Sequence, residues 1–400
     1  MNPIRTLTRH RGNRRRRRSG IALLVAMSTV MVLTVVVTEM SYNARVRYLL
    51  AAHEKERAQA YWVSQTGINM YKLILSANKQ MEGSSVGGLA ESAGINIGDA
   101  LWQWVPVINT GLMRMLFASG GDIDEDDIDA FKQTGKVSDE LDEASREASK
   151  FSDKNFLDFD GDFSAEVTDE DAKLNVSLLA NAQGSVNESA IGLQLYGLMA
   201  GEENDAWFRD RNIDRWDIIG NLKDWVDPDT MGSGRSGGQE DSLYNNRDSA
   251  YLSKNAAFDT FDEIRLVEGW QDDVMERFGH QLTIHGTGKI NINTAPDEVL
   301  FALIQAYVIP APMDQECVRL IEQIREYMWF ATFNGGKDFA KYLTNQGYTV
   351  SDQLQSQIGK SSKTFRVTST GLVGDTSVTT TAIIDYNGSQ AGQVTYWRVD

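Results

Sequence analysis

The chain has 400 residues, which is too long for one small core and predicts two or three domains. Its net charge of −17 is unevenly placed: residues 1–20 contain eight of the 39 basic residues and no acid, so the rest sets 31 bases against 56 acids. Such an acidic body repels phosphate backbones, which argues against nucleic-acid binding and suits a protein that collects cations.

The N-terminal segment "RRRRRSGIALLVAMSTVMVLTVVVTEM" (14–40) joins a run of arginines to an uncharged stretch from Ser19 to Thr38. A helix needs about 20 such residues to cross a bilayer. The arginines are expected to stay in the cytoplasm, so the remainder is exported. No A-x-A cleavage site follows the apolar run, which favours a retained anchor over a cleaved secretory signal.

The helix is predicted to continue beyond the apolar run, because no proline occurs between Pro3 and Pro106. One helix over 21–77 would be about 85 Å long, at about 1.5 Å per residue. Small and apolar residues recur in its second half at helical spacing. They are Ala58, Tyr61, Gly67, Met70 and Ile74.

A basic leader, a glycine and an apolar helix beginning "IALLVAM" resemble the N-terminus of type IV prepilin-like proteins. The resemblance implies that a prepilin peptidase cuts after Gly20 on the cytoplasmic side and methylates Ile21. Most members carry a glutamate five residues after the cut, where this chain has Val25. A subunit without that carboxylate cannot neutralise the amino terminus of a neighbour stacked above it. The segment therefore resembles the K-type minor pseudopilin of the type II secretion system, a tip subunit; a plain single-pass anchor is the alternative.

Alternating strands are predicted at "FSAEVTD" (163–169), on both sides of a turn at Gly374 and Asp375, and at "QVTYWRVD" (393–400). Several short helices are predicted between the first strand and the turn. Together these elements predict an α+β, pilin-like fold with a long N-terminal helix on an antiparallel sheet and an inserted α-helical domain. The predicted parts are a leader (1–20), the helix (21–77), a pilin-like part with an acidic, partly disordered insertion at 119–150 (78–181), the helical domain (182–345) and C-terminal strands (346–400).

Two short stretches echo each other: "DAKLNVSLLAN" (171–181) and "TGKININTAPDEVL" (287–300). Each has a lysine, an aliphatic residue, an asparagine and another aliphatic residue, followed by a predicted helix start. We interpret the echo as a shared way of entering a helix from a strand. The second stretch is similar to a pattern of the K-type family.

The loop "NLKDWVDPDTMGSGRSGGQEDSLY" (221–244) joins closely spaced acids to a Gly/Ser-rich segment. Ca²⁺ binds six to eight oxygens, from carboxylates and from carbonyls that a flexible loop can supply. From spacing alone, a solvated acidic loop is the alternative. The resemblance to the K-type family implies calcium ligands and leaves Asp224 to cap or brace the preceding helix. The implied ligands are Asp227, Asp229, Glu240 and Asp241.

No enzyme is predicted: the sequence lacks H-E-x-x-H and the phosphate-binding pattern G-x-x-x-x-G-K-[ST], and its two G-x-S-x-G matches, at 83–87 and 234–238, lie in Gly/Ser-rich stretches. The single cysteine, Cys317, excludes an internal disulfide and is predicted to be a buried apolar residue. A membrane-anchored hydrolase with a carboxylate pair in a cleft of the helical domain is the alternative from another class.

The resemblance implies a non-catalytic minor pseudopilin at the tip of a secretion pseudopilus. It would cross the inner membrane once, with its N-terminus in the cytoplasm and its C-terminal domain in the periplasm. The implied partners are other minor pseudopilins, the major pseudopilin, prepilin peptidase, and the secretin or secreted cargo. A minor pilin of a type IV pilus is the alternative within the same class.

Overall fold

A computed structural model gives the conformation of most of the chain, which divides into two units at residues 1–59 and 60–400. The predicted leader residues 1–18 and the acidic insertion 119–150 lie outside the described residues. The described residues are 19–82, 102–103, 105, 107–113, 161–182, 184–233, 238–245 and 250–400.

Helix α1 (Ser19–Glu82) is continuous over 64 residues and contains the predicted helix 21–77. Its N-terminal part is long and apolar enough to cross a membrane. Hydroxyl groups in that part donate to backbone carbonyls three or four residues earlier, so they need no solvent. The donors are Ser28, Thr29, Thr34 and Thr38.

The second half of α1 packs on a five-stranded antiparallel sheet of order β1-β2-β9-β10-β11. The predicted strands are all present, and a two-residue turn joins β9 to β10, since Val373 pairs with Thr376. The strands are β1 (Val107–Asn109), β2 (Asp162–Asp169), β9 (Thr364–Val373), β10 (Thr376–Asp385) and β11 (Gln393–Val399).

Two glycines let the helix backbone approach the sheet closely. A Cβ atom at Gly371 of β9 would lie 2.1 Å from the Ala60 carbonyl oxygen and 2.6 Å from the Ser64 nitrogen. A Cβ atom at Gly67 of α1 would lie 2.3 Å from the Ser369 hydroxyl oxygen. The small residue in the predicted helical stripe is therefore a contact point between α1 and the sheet.

The segment between β2 and β9 is largely helical and has its own core. Its core runs from Leu174 to Ile358, beyond the predicted bounds of 182 and 345, because parallel pairing of β3 with β4 and of β5 with β8 ties both ends to the helices. Cys317 is fully buried in it, as predicted. The helices are α2 (Ala190–Leu198), α3 (Glu202–Arg211), α4 (Arg215–Val226), α5 (Asp272–Phe278), α6 (Asp297–Tyr307), α7 (Asp314–Met328), α8 (Gly336–Asn345) and α9 (Leu354–Gln357). The short strands are β3 (Leu174–Asn175), β4 (Leu282–Thr283), β5 (Ile290–Asn291), β6 (Val308–Ile309), β7 (Thr349–Val350) and β8 (Ile358–Gly359).

The two echoing stretches have the same local structure. The side-chain oxygen of Asn175 accepts from the backbone N–H of Ser177, and that of Asn291 accepts from the N–H of Asn293. Each asparagine ends a two-residue strand and turns the chain toward a helix. The shared pattern is thus one of strand-to-helix entry, as the sequence predicts.

Candidate metal centre

The end of helix α4 carries two of the acids from the loop 221–244. Asp224 lies in the last turn and Asp227 is the C-terminal cap, whose N–H donates to the Lys223 carbonyl over 2.9 Å. Residues three apart lie on one face of a helix, so the two carboxylates are neighbours. Trp225 fixes this end of α4, since its indole N–H donates to a Glu263 oxygen over 3.1 Å and its ring packs against Tyr244.

A third carboxylate reaches these two from the far end of the loop. Glu240 begins a 3₁₀ turn, Glu240–Leu243, and offers an oxygen that lies within 4.8 Å of oxygens from Asp224 and Asp227. All three side chains are buried, with 3–4% of each residue exposed. The arrangement is therefore an enclosed acidic cluster and not a solvated loop.

The cluster has more negative charge than its surroundings compensate. Burial, together with the charges of Asp224 and Asp227, raises the pKa of Glu240 to about 7. Burial also raises the pKa of Asp224, although Ser233 hydrogen bonds oppose that rise. Lys223 contributes one cation, 2.7 Å from an Asp227 oxygen. Among the described residues, one lysine against three buried carboxylates leaves a charge that favours a bound cation.

Two oxygens of the cluster are orphaned. Asp227 Oδ1 and Glu240 Oε1 are buried without a hydrogen-bond donor among the described residues. Their partner oxygens are engaged: Asp227 Oδ2 accepts from Lys223, and Glu240 Oε2 accepts from the Ser253 hydroxyl over 3.3 Å. Unsatisfied buried carboxylate oxygens are costly, and a hard divalent cation is the ligand that they suit best. The donor set therefore fits Ca²⁺.

The structure brings together two of the four ligands that the resemblance implied. Asp227 and Glu240 are in the cluster, whereas Asp229 is exposed and accepts from the Met231 N–H. Asp241 accepts from the Ser253 N–H over 3.0 Å and from its hydroxyl over 2.9 Å. Asp224, set aside as a cap or brace, is the third member. Its three-residue spacing from Asp227 at a helix end was the signal that sequence reasoning missed.

The positions implied for processing lie in the first turns of α1. Ile21 and Val25 are 66% and 59% exposed. A Cβ atom at Gly20 would meet no described residue within 4 Å, so packing against the described part of the chain does not require a glycine there. Cleavage after Gly20, methylation of Ile21 and the role of Val25 stay predictions.

The helical part contains a polar groove of about 1050 Å³. If the chain were the hydrolase considered as an alternative, its carboxylate pair would be expected in such a groove. Three of its acids have partners instead. Asp205 pairs with Arg215, and Asp314 accepts from the Glu202 N–H over 2.6 Å. Glu316 accepts from the Tyr348 hydroxyl. These contacts do not favour a catalytic carboxylate pair in this groove.

Comparison with known proteins finds a family match over the region that contains the acidic cluster. Residues 172–286 match the family model described as "Type II secretion system (T2SS), protein K", and this range contains the acidic cluster. A chain in the crystal structure of the GspK–GspI–GspJ complex from the enterotoxigenic Escherichia coli type 2 secretion system is 19% identical, with a TM-score of 0.47. The match covers 60% of this chain and 80% of that chain. No curated protein sequence matches the chain.

Proposed function

We propose that this chain, whose residues 172–286 match protein K of the type II secretion system, is a minor pseudopilin of that system. The match is the observation that carries the proposal. The pilin-like packing of the second half of α1 on an antiparallel sheet supports it. The proposed role is structural and non-catalytic, in export of proteins across the outer membrane.

The N-terminal half of α1 would cross the inner membrane once. This half of α1 is apolar and exposed, and the arginine-rich leader precedes it. By the positive-inside bias, the leader lies in the cytoplasm and residues 60–400 lie in the periplasm. After cleavage the same helix would become the core of the pseudopilus.

Val25 supports a position at the tip of the pseudopilus. A carboxylate five residues after the cleavage site would serve the amino terminus of a subunit above, and valine has no charge to offer. The proposed partners are other minor pseudopilins, the major pseudopilin, prepilin peptidase, and the secretin or cargo. A minor pilin of a type IV pilus is the alternative, and the neighbouring genes distinguish the two.

Mass spectrometry of the N-terminus tests this proposal. Protein extracted from membranes of cells with active prepilin peptidase is expected to begin at Ile21 and to carry an N-methyl group. The matched control is the same protein from cells that lack the peptidase, where the leader is retained. A start at Met1 despite an active peptidase would contradict the pseudopilin assignment.

We also propose that Asp224, Asp227 and Glu240 hold a Ca²⁺ ion. When bound, the ion supplies positive charge that neutralises the carboxylates. Asp224 and Asp227 would bind from the end of α4 and Glu240 from the returning loop, so the three residues together would fasten that loop to the helical core. The two orphaned oxygens support this assignment.

Thermal unfolding of the detergent-solubilised protein tests the calcium site. Ca²⁺ at 100 times its Kd is expected to stabilise the folded state by about 2.7 kcal/mol. Glu240→Gln should remove this gain and raise the melting temperature of the metal-free protein, because it removes a buried, poorly compensated charge. Asp229→Asn is the matched control and should keep the full calcium response. Loss of the response in Asp229→Asn, or no response in the unaltered protein, would refute this ligand set.

A further inference from the structure

Strand β11 forms one border of the five-stranded sheet, and six of its seven residues are exposed. Among the described residues, β10 is its only strand neighbour. The opposite border, β1, has only three residues. Among the described residues, the sheet therefore ends in the three-residue strand β1 on one side and in the seven-residue strand β11 on the other.

The hydrogen-bond pattern shows which backbone groups of β11 face outward. Asp400 and Thr379 exchange both of their backbone hydrogen bonds. Bonded and non-bonded pairs alternate along an antiparallel ladder. Val399, opposite Thr380, and Trp397, opposite Ala382, are therefore in non-bonded pairs. Their N–H and C=O groups point away from β10, toward the open border.

The side chains along this border are apolar and share one face of the sheet. Val399 and Trp397 lie opposite Thr380 and Ala382, and the register shift beside Ile384 brings Val394 onto the same face. Ala382 and Ile384 belong to the core that α1 covers. The exposed β11 side chains thus extend the apolar face of the sheet beyond the helix, and 38–41% of each remains open to solvent.

Helix α1 forms a wall beside this strip. Asn69 and Leu73 line a surface groove together with Gln390 and Ala391, which lie in the loop before β11. Trp62 lies seven and eleven residues before them, about two and three helical turns away, and so faces the same side. Trp62 and Leu73 are 65% and 67% exposed. The groove, called the trough below, is lined on the α1 side by Leu73 and by polar residues, and Trp62 extends this side of α1 toward its N-terminus.

Soluble proteins usually protect such a border with lysine, proline or a very short strand. β11 contains neither lysine nor proline. Its one charged residue, Arg398, is paired with Asp400 and Asp262. The register shift at Ile383 and Ile384 makes the pairing irregular only in the first part of β11. The outward N–H and C=O groups of Trp397 and Val399 lie beyond it, where an extended backbone can pair with them.

We infer that β11 is a docking edge that accepts an extended strand from a neighbouring minor pseudopilin, which adds a sixth strand to the sheet. The choice of a pseudopilin as the donor rests on the proposed function, and the requirement for a strand rests on the backbone of β11. The incoming strand would place alternate apolar side chains against Trp397 and Val399 and fill the trough beside Trp62 and Leu73.

The experiment combines the solubilised full chain with the purified periplasmic domains of the I- and J-type minor pseudopilins from the same system. Amide hydrogen exchange is measured at single residues in the free chain and in the complexes. The amides of Trp397 and Val399 should exchange at least tenfold more slowly in one complex. Because neither amide bonds to β10, contact by side chains alone would not produce this protection.

Three variants test the same edge by affinity. Val399→Pro deletes one outward N–H and is compatible with an edge strand. Trp397→Lys places a charge on the apolar strip. Both should weaken the complex at least tenfold, whereas Val399→Thr, which keeps the N–H and the branched shape, should change the affinity less than twofold. If Val399→Pro fails to fold, Trp397→Lys and the amide protection decide.

Each remaining outcome overturns the inference. A complex with unprotected amides at 397 and 399 overturns it and leaves the proposed function intact. Failure to bind either pseudopilin overturns it as well, and a chain that still begins at Ile21 then keeps the proposed function. Protection in the free chain would mean that another occupant covers the edge: a second copy if protection rises with concentration, and a segment of this chain if it does not.

Discussion

Two buried glutamates, Glu170 and Glu240, have opposite pKa shifts because their charged neighbours differ. Glu170, directly after β2, pairs with Arg366 over 2.6 Å and with Lys173 over 3.3 Å. Burial alone would raise its pKa, but the two cations outweigh burial and lower it. In the cluster of Asp224, Asp227 and Glu240, burial and like charges act together and raise the pKa of Glu240 to about 7. The first arrangement is compensated by its own cations, whereas the second is the arrangement for which we propose a bound cation.

Replacing Glu170 tests the first arrangement. Glu170→Gln should lower the free energy of unfolding by about 3 kcal/mol at pH 7, because it leaves Arg366 and Lys173 without their buried partner. A lowered pKa in the folded state means that the contribution of Glu170 is present above the unfolded pKa and is lost as the pH falls through the folded value. The difference from the unaltered protein should therefore shrink below about pH 4.5.

Denaturant titrations from pH 3 to pH 7 measure this difference. Glu166→Gln, at an exposed position on the same strand, is the control and should stay within about 0.5 kcal/mol of the unaltered protein. A difference for Glu170→Gln that is constant over the whole pH range would show that its ionised carboxylate is not the stabilising group.

At the scale of elements, α1 and the sheet are held together by close backbone contact as well as by apolar packing. Gly371 gives room for the Ala60 carbonyl, and the hydroxyls of Ser64 and Thr380 form a buried hydrogen bond of 2.7 Å. Backbone atoms on both sides leave little freedom to adjust, because each belongs to a regular element. These contacts thus fix the distance between this part of α1 and the sheet.

Gly371→Ala is expected to separate α1 from the sheet. The added methyl group would meet the Ala60 oxygen at 2.1 Å, so the free energy of unfolding should fall by about 1–3 kcal/mol. Chemical denaturation of the solubilised protein measures the loss. Ser377→Ala, at an exposed position of the adjoining strand, is the control. Equal stability of Gly371→Ala and this control would contradict the tight helix–sheet contact.

At the scale of the whole molecule, charge and hydrophobicity are divided along the chain. An arginine-rich segment comes first, the apolar half of α1 follows and is long and apolar enough to cross a membrane, and the remainder is acidic. Residues 172–286 confirm the resemblance to protein K that the sequence suggested. The architecture also confirms the predicted α+β class, with a helical part inserted between β2 and β9.

Val25→Glu tests the tip position within the proposed assembly. The variant should still insert into the membrane, since one carboxylate at the helix centre costs only about 2.5–3.5 kcal/mol on insertion scales. It should co-purify several-fold less with the other minor pseudopilins, because a tip subunit provides no amino terminus above it to pair with the new charge. Val25→Leu is the control. Unchanged co-purification of Val25→Glu would count against the role assigned to Val25.

The sequence by itself determined the elements whose signal is local. A long uncharged run, the absence of proline and a helical stripe specify α1, and alternation with period two specifies β2, β9, β10 and β11. The acidic loop at 221–244 also stood out, because carboxylates and glycines are concentrated there. Each of these signals depends on residues a few positions apart, so no knowledge of the fold is needed to detect it.

Only the tertiary structure decided which acids meet and which strand stays open. Asp224 and Glu240 are sixteen positions apart, and whether they approach depends on the path of the loop between them and on the packing of α4. Asp229 carries the same carboxylate but accepts from the nearby Met231 N–H, and Asp241 accepts from the N–H and the hydroxyl of Ser253. Likewise, alternation identifies β11 as a strand, but only the strand order shows that, among the described residues, its outer N–H and C=O groups face no further strand. Burial and edge position arise from distant contacts, so local patterns do not contain them.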